Sequence, residues 1–160
     1  MKALVDTNVL VYRFDPRDSV KQAVAHDLLR SGAKAASLCL PHQAIVEFVR
    51  ATTRPLGRDL PALLTKEQAL QEAENLLVAF EILYPTEAVL RTALRGAAAY
   101  RLNWFDAHLW AYADAYGLDE ILSEDFADGH LIGGVRVRDP FKMELHAPRA
   151  AYGRRGAKNR

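Results

Sequence analysis

Residues 2–8, Lys-Ala-Leu-Val-Asp-Thr-Asn, decide the fold that we predict for this chain. Residues 3–5 are all apolar, which is typical of a strand that is covered on both faces inside a parallel sheet. Asp6 ends this run, so we expect its carboxylate at the carboxyl end of the first strand, where open α/β sheets bind their ligands. The alternative is that Asp6, Thr7 and Asn8 form only a turn or the N-cap of the next helix.

Short apolar runs alternate with helical patterns along the rest of the chain. The predicted helices cover residues 18–32, 42–53, 65–80, 86–100 and 103–116. Gly32 fits the end of the first of these helices. Further strands are predicted over residues 35–40, 120–123 and 135–138, with a link or minor strand at 82–84. This alternation, without repeats, predicts an α/β fold: a three-layer α/β/α domain with a mainly parallel central sheet.

The charge of the chain is unevenly distributed. A length of 160 residues fits one domain, which we place at residues 1–148. Residues 149–160 hold five of the 21 Lys and Arg residues and no acid, so they form a basic C-terminal tail, and the remaining 16 bases against 20 acids give the body a formal charge of −4. Such a tail could bind a polyanion, but a solvated, flexible end is the preferred interpretation.

The composition also bears on where the protein works. Cys39 is the one cysteine, so no internal disulfide can form, and this suits a reducing compartment. No apolar run approaches the roughly 20 residues that span a bilayer, and the N-terminus lacks the regions of a signal peptide. We therefore expect a cytoplasmic protein without a membrane segment.

Four acids stand where a solvated surface charge is not expected. Asp6 ends the first strand, and Glu47 interrupts an apolar helix. Asp106 lies in the first turn of a helix, and Asp125 follows the strand at 120–123. Asp6 and Asp125 should share the carboxyl edge of a parallel sheet, and a helix N-terminus favours the charge of Asp106. Each acid also has an ordinary alternative: capping for Asp106 and Asp125, and solvent or an arginine for Glu47.

Four converging carboxylates predict a metal site. Burying them without compensation costs several kcal/mol per ion, which protonation or a cation would relieve. Carboxylate oxygens with room for water suit Mg²⁺ or Mn²⁺. Zinc is a poor candidate, because the five histidines are dispersed and show no His-x₃-His or Cys-x₂-Cys spacing.

Four segments, in their order along the chain, resemble the acidic motifs of PIN-domain ribonucleases. They are Val5-Asp6-Thr7-Asn8-Val9-Leu10, Ile45-Val46-Glu47-Phe48, Asn103-Trp104-Phe105-Asp106-Ala107 and Leu122-Ser123-Glu124-Asp125-Phe126. The size, the Ser-Glu-Asp-Phe block and the ending at 134–141 more narrowly resemble VapC-type toxins of bacterial toxin–antitoxin pairs. The resemblance covers roughly residues 2–141, and Asp139 departs from it where many relatives have Asn.

The resemblance implies a Mg²⁺- or Mn²⁺-dependent endoribonuclease that hydrolyses RNA phosphodiester bonds. It also implies a cognate antitoxin that holds the enzyme inactive, and a homodimer. Asp6 and Asp106 are the expected direct metal ligands, and Asp125 and Glu47 would complete the catalytic pocket directly or through water. A divalent cation lowers the pKa of water and stabilises charge on the phosphate.

Other residues are expected to support the carboxylates or to hold RNA. Thr7, Asn8 and Ser123 could hydrogen-bond carboxylates or phosphate, although turn capping is the simpler role for the first two. The candidate phosphate-binding residues are Arg13, Arg50 and Arg54. Unpaired bases could stack on Trp104, Tyr12 or Phe14, although aromatic residues in such contexts more often fill the core.

Other functions fit the sequence less well. An aspartyl phosphotransferase would need a second Asp at position 8, which is Asn, and the chain lacks a Gly-rich phosphate loop. A non-catalytic PIN-like RNA-binding module would not need all four acids. An RNA-processing nuclease without a toxin role is the remaining alternative, and the sequence does not identify the RNA target.

Overall fold

A computed structural model describes residues 2–143 of the chain. The domain boundary predicted at residue 148 and the basic tail at 149–160 lie outside these residues. The described strands are β1 (Ala3–Val5), β2 (Leu38–Pro41), β3 (Glu81–Leu83), β4 (Glu120–Leu122), β5 (Leu131–Ile132) and β6 (Val135–Arg138). The described helices are α1 (Thr7–Tyr12), α2 (Ser19–Ala35), α3 (His42–Thr53), α4 (Lys66–Ala79), α5 (Glu87–Tyr100), α6 (Trp104–Ala115) and α7 (Pro140–Met143).

The six strands form one sheet in the order β3-β2-β1-β4-β6-β5. The first five strands in this order are parallel to their neighbours, and β5 pairs antiparallel with β6. In the register of the central pair, Leu4 lies opposite Ile121 and Val5 lies opposite Leu122. The predicted α/β fold with a mainly parallel sheet is confirmed.

Helices cover both faces of the sheet and create two hydrophobic cores. Leu4 packs into the core that contains Val89 and Trp110 of α5 and α6. The next residue, Val5, packs into the opposite core with residues of α1 to α4. Successive side chains of a strand point to opposite faces, so the apolar run at residues 3–5 reflects burial on both sides.

Several helix boundaries follow from their capping residues. Thr65 and Gln68 form a capping box at the start of α4, as their spacing predicts. Asn103 caps α6 by accepting a hydrogen bond from the Asp106 backbone N–H. These two helices therefore begin where the sequence pattern places them.

Gly32 is the main error in the predicted boundaries. Helix α2 continues past it to Ala35 and ends at Ala36, which adopts the left-handed conformation with φ of 50°. Gly32 is buried because its backbone packs against Leu38, and an added Cβ would overlap that side chain. Its role is close packing rather than helix termination, so β2 begins only at Leu38.

Within residues 2–143, no helix is both long enough and apolar enough to cross a membrane.

Candidate active site at the carboxyl edge of the sheet

The adjacent carboxyl ends of β1 and β4 bring Asp6 close to the loop after β4. The Asp6 backbone N–H donates to the Leu122 carbonyl at 3.0 Å. The buried Ser123 hydroxyl then donates to Asp6 Oδ2 at 2.6 Å. Ser123 Oγ also accepts the Asp125 backbone N–H at 3.1 Å, so one hydroxyl fixes both carboxylate-bearing segments.

Asn8 joins the same two carboxylates. Its Nδ2 lies 3.0 Å from Asp6 Oδ2, 3.1 Å from Asp125 Oδ2 and 3.2 Å from Ser123 Oγ. The Oδ1 atom of Asn8 is buried and has no hydrogen-bond partner among the described residues. A buried polar atom without a partner is costly, so this oxygen is a candidate acceptor for water or a ligand at the site.

Asp6 also caps helix α1, as the alternative interpretation expected. Its Oδ1 accepts the Thr7 backbone N–H at 2.6 Å. Capping uses Oδ1, and the Ser123 and Asn8 contacts use Oδ2. Asp6 can therefore cap α1 and belong to the site at the same time.

Helix α3 contributes Glu47. Glu47 Oε2 accepts the Thr7 hydroxyl at 2.9 Å, which ties α3 to the start of α1. Glu47 Oε1 accepts Gln43 Nε2 at 2.8 Å. Gln43 was missed by the sequence analysis, although its position one helical turn before Glu47 could have suggested the contact.

Helix α6 contributes Asp106 at its N-terminus. Asn103 caps this helix with its side-chain oxygen, which accepts the Asp106 N–H at 3.0 Å. The Asn103 amide nitrogen also donates to Asp106 Oδ2. Like Gln43, Asn103 therefore holds a carboxylate of the site, whereas its position in the sequence predicted only a helix cap.

Electrostatic interactions connect all four acids. The pKa of Asp6 is raised to about 6: burial is the largest cause, the Ser123 and Thr7 hydrogen bonds oppose it, and the charges of Asp125 and Glu47 add to the increase. Burial also raises the pKa of Asp106, and the charge of Asp125 adds to that increase. The charge of Asp125 thus disfavours the ionised forms of both Asp6 and Asp106, and the charge of Glu47 does so for Asp6.

The polar atoms of the site have the chemistry of ligands for a divalent cation. Carboxylate oxygens, a raised pKa at Asp6 and an unpartnered Asn8 oxygen match the chemistry of a hard cation such as Mg²⁺ or Mn²⁺. In their described positions, however, no three His, Cys, Asp or Glu side chains of residues 2–143 are grouped closely enough to hold a metal ion directly. Mg²⁺ usually keeps several waters, so the residues fit a partly water-mediated site.

An ion pair braces the loop that carries Asp125. Lys21 of α2 pairs with Glu124, and its Nζ lies 3.1 Å from the Tyr12 hydroxyl. The same ammonium lies over the rings of Tyr12 and Phe141, at 4.5 Å and 5.4 Å from their centroids. This contact could not be predicted from the sequence, because Lys21 and Glu124 are far apart in the chain.

The three candidate arginines do not form one group. Arg13 lies 3.9 Å from Glu72 of α4 and 5.1 Å from the Phe14 ring centroid, so it faces α4. Arg50 lies in the last turn of α3 and Arg54 is its C-cap, and both are exposed. Only the latter two share the helix that carries Glu47.

The three aromatic residues proposed to stack on bases differ in their exposure to solvent. Tyr12 and Phe14 are partly buried and pack against the core beside α1 to α4. Trp104 is exposed at the start of α6.

Two further features lie outside the acidic site. Asp139 Oδ1 accepts the Phe141 backbone N–H at 2.9 Å. An Asn side chain could accept the same bond, so having Asp in place of Asn at this position preserves the turn.

A cavity of about 800 Å³ lies between α2 and the sheet and has none of the four acids in its lining.

The sequence pattern of the PIN domain family matches residues 3–127, a span that contains all four acids. No curated protein sequence matches the chain.

Solved structures of low sequence identity share the fold. A chain of the DNA-bound VapBC complex of Salmonella typhimurium is 14% identical with a TM-score of 0.64, and the match covers 88% of this chain and 98% of that one. A chain of a Klebsiella pneumoniae toxin–antitoxin complex is 20% identical with a TM-score of 0.61, covering 87% and 98% respectively. A Mycobacterium tuberculosis VapC toxin described as cleaving the sarcin–ricin loop is 14% identical with a TM-score of 0.57, covering 75% and 87%.

Proposed function

The chain belongs to the PIN domain family, and we propose on this premise that it is a Mg²⁺- or Mn²⁺-dependent endoribonuclease that acts as the toxin of a toxin–antitoxin pair. One observation carries the proposal: Asp6, Glu47, Asp106 and Asp125 come from four separate segments, yet shared hydrogen-bond partners or the effect of one acid's charge on another's pKa link them. Such a cluster of like charges is unfavourable in a site that serves only stability.

The roles of the acids follow from their surroundings. Asp6 and Asp106, whose pKa values are both raised by burial, are the proposed direct ligands. Asp125 and Glu47 complete the site directly or through water. A bound Mg²⁺ or Mn²⁺ would supply Lewis acidity toward water and the RNA phosphodiester.

The neighbouring polar side chains keep these carboxylates in place. Ser123 and Asn8 hold Asp6 Oδ2, and Thr7 holds Glu47 Oε2. Partners of this kind orient metal ligands, and their removal typically lowers metal affinity or activity by about 10- to 100-fold.

RNA is the proposed substrate. The Mycobacterium tuberculosis protein of similar fold is described as a toxin that cleaves the sarcin–ricin loop, and this supports RNA as the substrate class here. The acidic body does not attract RNA by itself, so a bound cation and exposed residues such as Arg50 and Arg54 would contact the backbone.

Purified protein comprising residues 1–160 should cleave RNA when Mg²⁺ or Mn²⁺ is present, and cleavage should stop when a chelator is added. We expect Asp6→Asn and Asp106→Asn each to lower the cleavage rate by about a hundredfold or more. Asp114→Asn is the matched control, because Asp114 is exposed at the other end of α6. A folded Asp6→Asn protein that cleaves RNA at the wild-type rate would show that the assignment is wrong.

The proposed partner is a cognate antitoxin, since the structures of similar fold include VapBC and other toxin–antitoxin complexes. Expression of the chain should arrest bacterial growth, and co-expression of the small protein encoded beside it should restore growth. The Asp106→Asn variant should cause no arrest. Catalytically competent protein that leaves growth unchanged would argue against a toxin role, and light scattering would test the proposed homodimer.

A further inference from the structure

Helix α6 begins with two exposed aromatic side chains next to Asp106. Trp104 is 45% exposed and Phe105 is 67% exposed, whereas Trp110 on the same helix is only 5% exposed. The buried face of α6 is formed by later residues, from Ala107 onward. The first turn therefore presents two large rings to solvent rather than to the core.

The two rings have little internal packing. Trp104 meets the His108 ring edge to face, with centroids 4.6 Å apart and planes at 78°, which leaves part of the indole exposed. Phe105 makes no ring contact with another described residue. Isolated exposed apolar residues are ordinary, whereas contiguous exposed apolar surface marks a binding site.

A cation lies just before these rings. Arg101 is the C-cap of α5 and adopts the left-handed conformation with φ of 55°, where Gly is usually preferred. Its side chain is exposed and forms no ion pair within residues 2–143. Aromatic rings flanked by a cation are the elements with which proteins bind single-stranded nucleic acid.

We propose that Trp104 and Phe105 form a stacking surface for the bases of an unpaired RNA segment, and that Arg101 contacts the backbone of that segment. This inference rests on the proposed ribonuclease function and assigns to that function the side chains that hold the RNA strand. Phe105 and Asp106 are consecutive residues in the first turn of α6, so both rings lie within one helical turn of a carboxylate of the candidate site.

The size of the surface favours RNA over a protein partner. An aromatic side chain buries about 150–250 Å², so two rings fall well below the roughly 800 Å² that each partner contributes to a standard protein interface. Stacking of one or two bases needs only such an area and adds measurable affinity for each base.

Cleavage kinetics on an unstructured RNA decamer test the inference. Trp104→Ala and Phe105→Ala should each raise KM by about tenfold with little change in kcat, because stacking holds the strand without touching the phosphate that reacts. Trp104→Phe and Phe105→Tyr keep a ring and should stay near wild type. Val78→Ala is the control, since Val78 is 89% exposed on α4, which packs on the face of the sheet opposite to α6.

Intrinsic fluorescence gives a readout that does not depend on turnover. The chain has two tryptophans, and only Trp104 is exposed. In Asp6→Asn protein, which should leave the RNA intact, the decamer should quench tryptophan emission. An abasic oligomer with the same number of phosphates should quench much less, and adding Trp104→Phe should remove the signal.

The outcomes separate this inference from the proposed function. Wild-type KM in both alanine variants of a protein that cleaves RNA would overturn the stacking surface and leave the nuclease assignment standing. Equal quenching by normal and abasic oligomers would also overturn it. If the alanine variants lose self-association in light scattering and keep wild-type KM, the rings form a protein interface and the inference is wrong. Protein that cleaves no RNA yet shows base-dependent quenching by way of Trp104 would support the surface and refute the ribonuclease.

Discussion

The carboxyl group of Asp6 gives the clearest pH-dependent prediction. Its pKa of about 6 exceeds the ordinary value of 3.8, mainly because of burial. The folded state therefore binds this proton more tightly than the unfolded state, and metal-free protein should lose stability as the pH rises from about 4 through 6. The expected loss from this group is about 1–2 kcal/mol, since solvent screens part of the charge.

Urea unfolding in the presence of a chelator, from pH 4.5 to 7.5, measures this effect. Asp6→Asn removes the titrating group, so its free energy of unfolding should depend less on pH than that of the wild type. Parallel pH profiles for the two proteins would contradict the assignment.

The Ser123 hydroxyl should matter more than a single hydrogen bond suggests. It is fully buried, donates to Asp6 and accepts from Asn8 and the Asp125 backbone. Ser123→Ala should destabilise the protein by about 1–3 kcal/mol, because it leaves buried polar groups unpaired. It should also raise the pKa of Asp6, since that hydrogen bond lowers it.

Thermal unfolding and carbon-13 titration of the Asp6 carboxyl measure the two effects of Ser123→Ala. The control is Ser31→Ala. Ser31 is exposed on α2, so this change should alter the free energy of unfolding by less than about 0.5 kcal/mol. An unshifted Asp6 titration would mean that the hydroxyl does not act on this carboxyl.

For individual residues, the sequence predicted which acids belong to the site better than it predicted their hydrogen-bond partners. The four acids were identified from their positions at strand ends, in an apolar helix and in the first turn of a helix: Asp6, Asp125, Glu47 and Asp106. Gln43 and Asn103 were not assigned to the site, because hydrogen bonds to carboxylates depend on rotamers that the residue spacing does not determine. The Lys21 contact with Glu124 depends on the packing of α2 beside the loop after β4, which only the tertiary structure defines.

Among the helices, the contact between α5 and α6 depends on Gly96. An added Cβ at this position would overlap the Trp110 ring, and Trp110 Nε1 is fixed by donating to the Ile132 carbonyl at 2.9 Å. Gly96→Ala should therefore destabilise the protein by about 1–3 kcal/mol, even though Ala favours a helix by about 1 kcal/mol. Because α6 carries Asp106, cleavage activity should fall as well.

Chemical denaturation of Gly96→Ala and Gly134→Ala compares the same substitution in two environments. A Cβ at Gly134 meets nothing within 4 Å, so that variant should be close to wild type. A Gly96→Ala protein more stable than wild type would show that the two helices can separate to accept the methyl group.

Glycine also explains where the predicted elements were wrong. Glycine often ends a helix, but in the structure Gly32 lies within α2 and its backbone packs against the Leu38 side chain. Sequence pattern does not distinguish these two uses of glycine, because the difference lies in a neighbour from another element. Strand β5 was not anticipated because it has two residues, of which only Ile132 is buried.

The fold gathers acids at the edge of the sheet where the negatively charged RNA is proposed to bind. We therefore expect electrostatic repulsion between this edge and RNA. In the absence of metal, the carboxylates at the carboxyl edge should repel RNA. The double variant Asp6→Asn/Asp106→Asn should therefore bind an unstructured RNA decamer more tightly than metal-free wild type, by about 3- to 10-fold at low salt, although it cannot cleave RNA.

Fluorescence anisotropy with labelled RNA and a chelator, at 20 and 200 mM salt, tests the repulsion. Asp114→Asn/Asp119→Asn makes the same change in net charge at exposed positions away from the acidic site. A gain in affinity for the first pair only, diminishing as salt increases, would place the phosphates next to Asp6 and Asp106, because a screened interaction acts over roughly 10 Å. Equal gains for both pairs would mean that RNA responds only to net charge, and the acidic edge would then not be where the substrate binds.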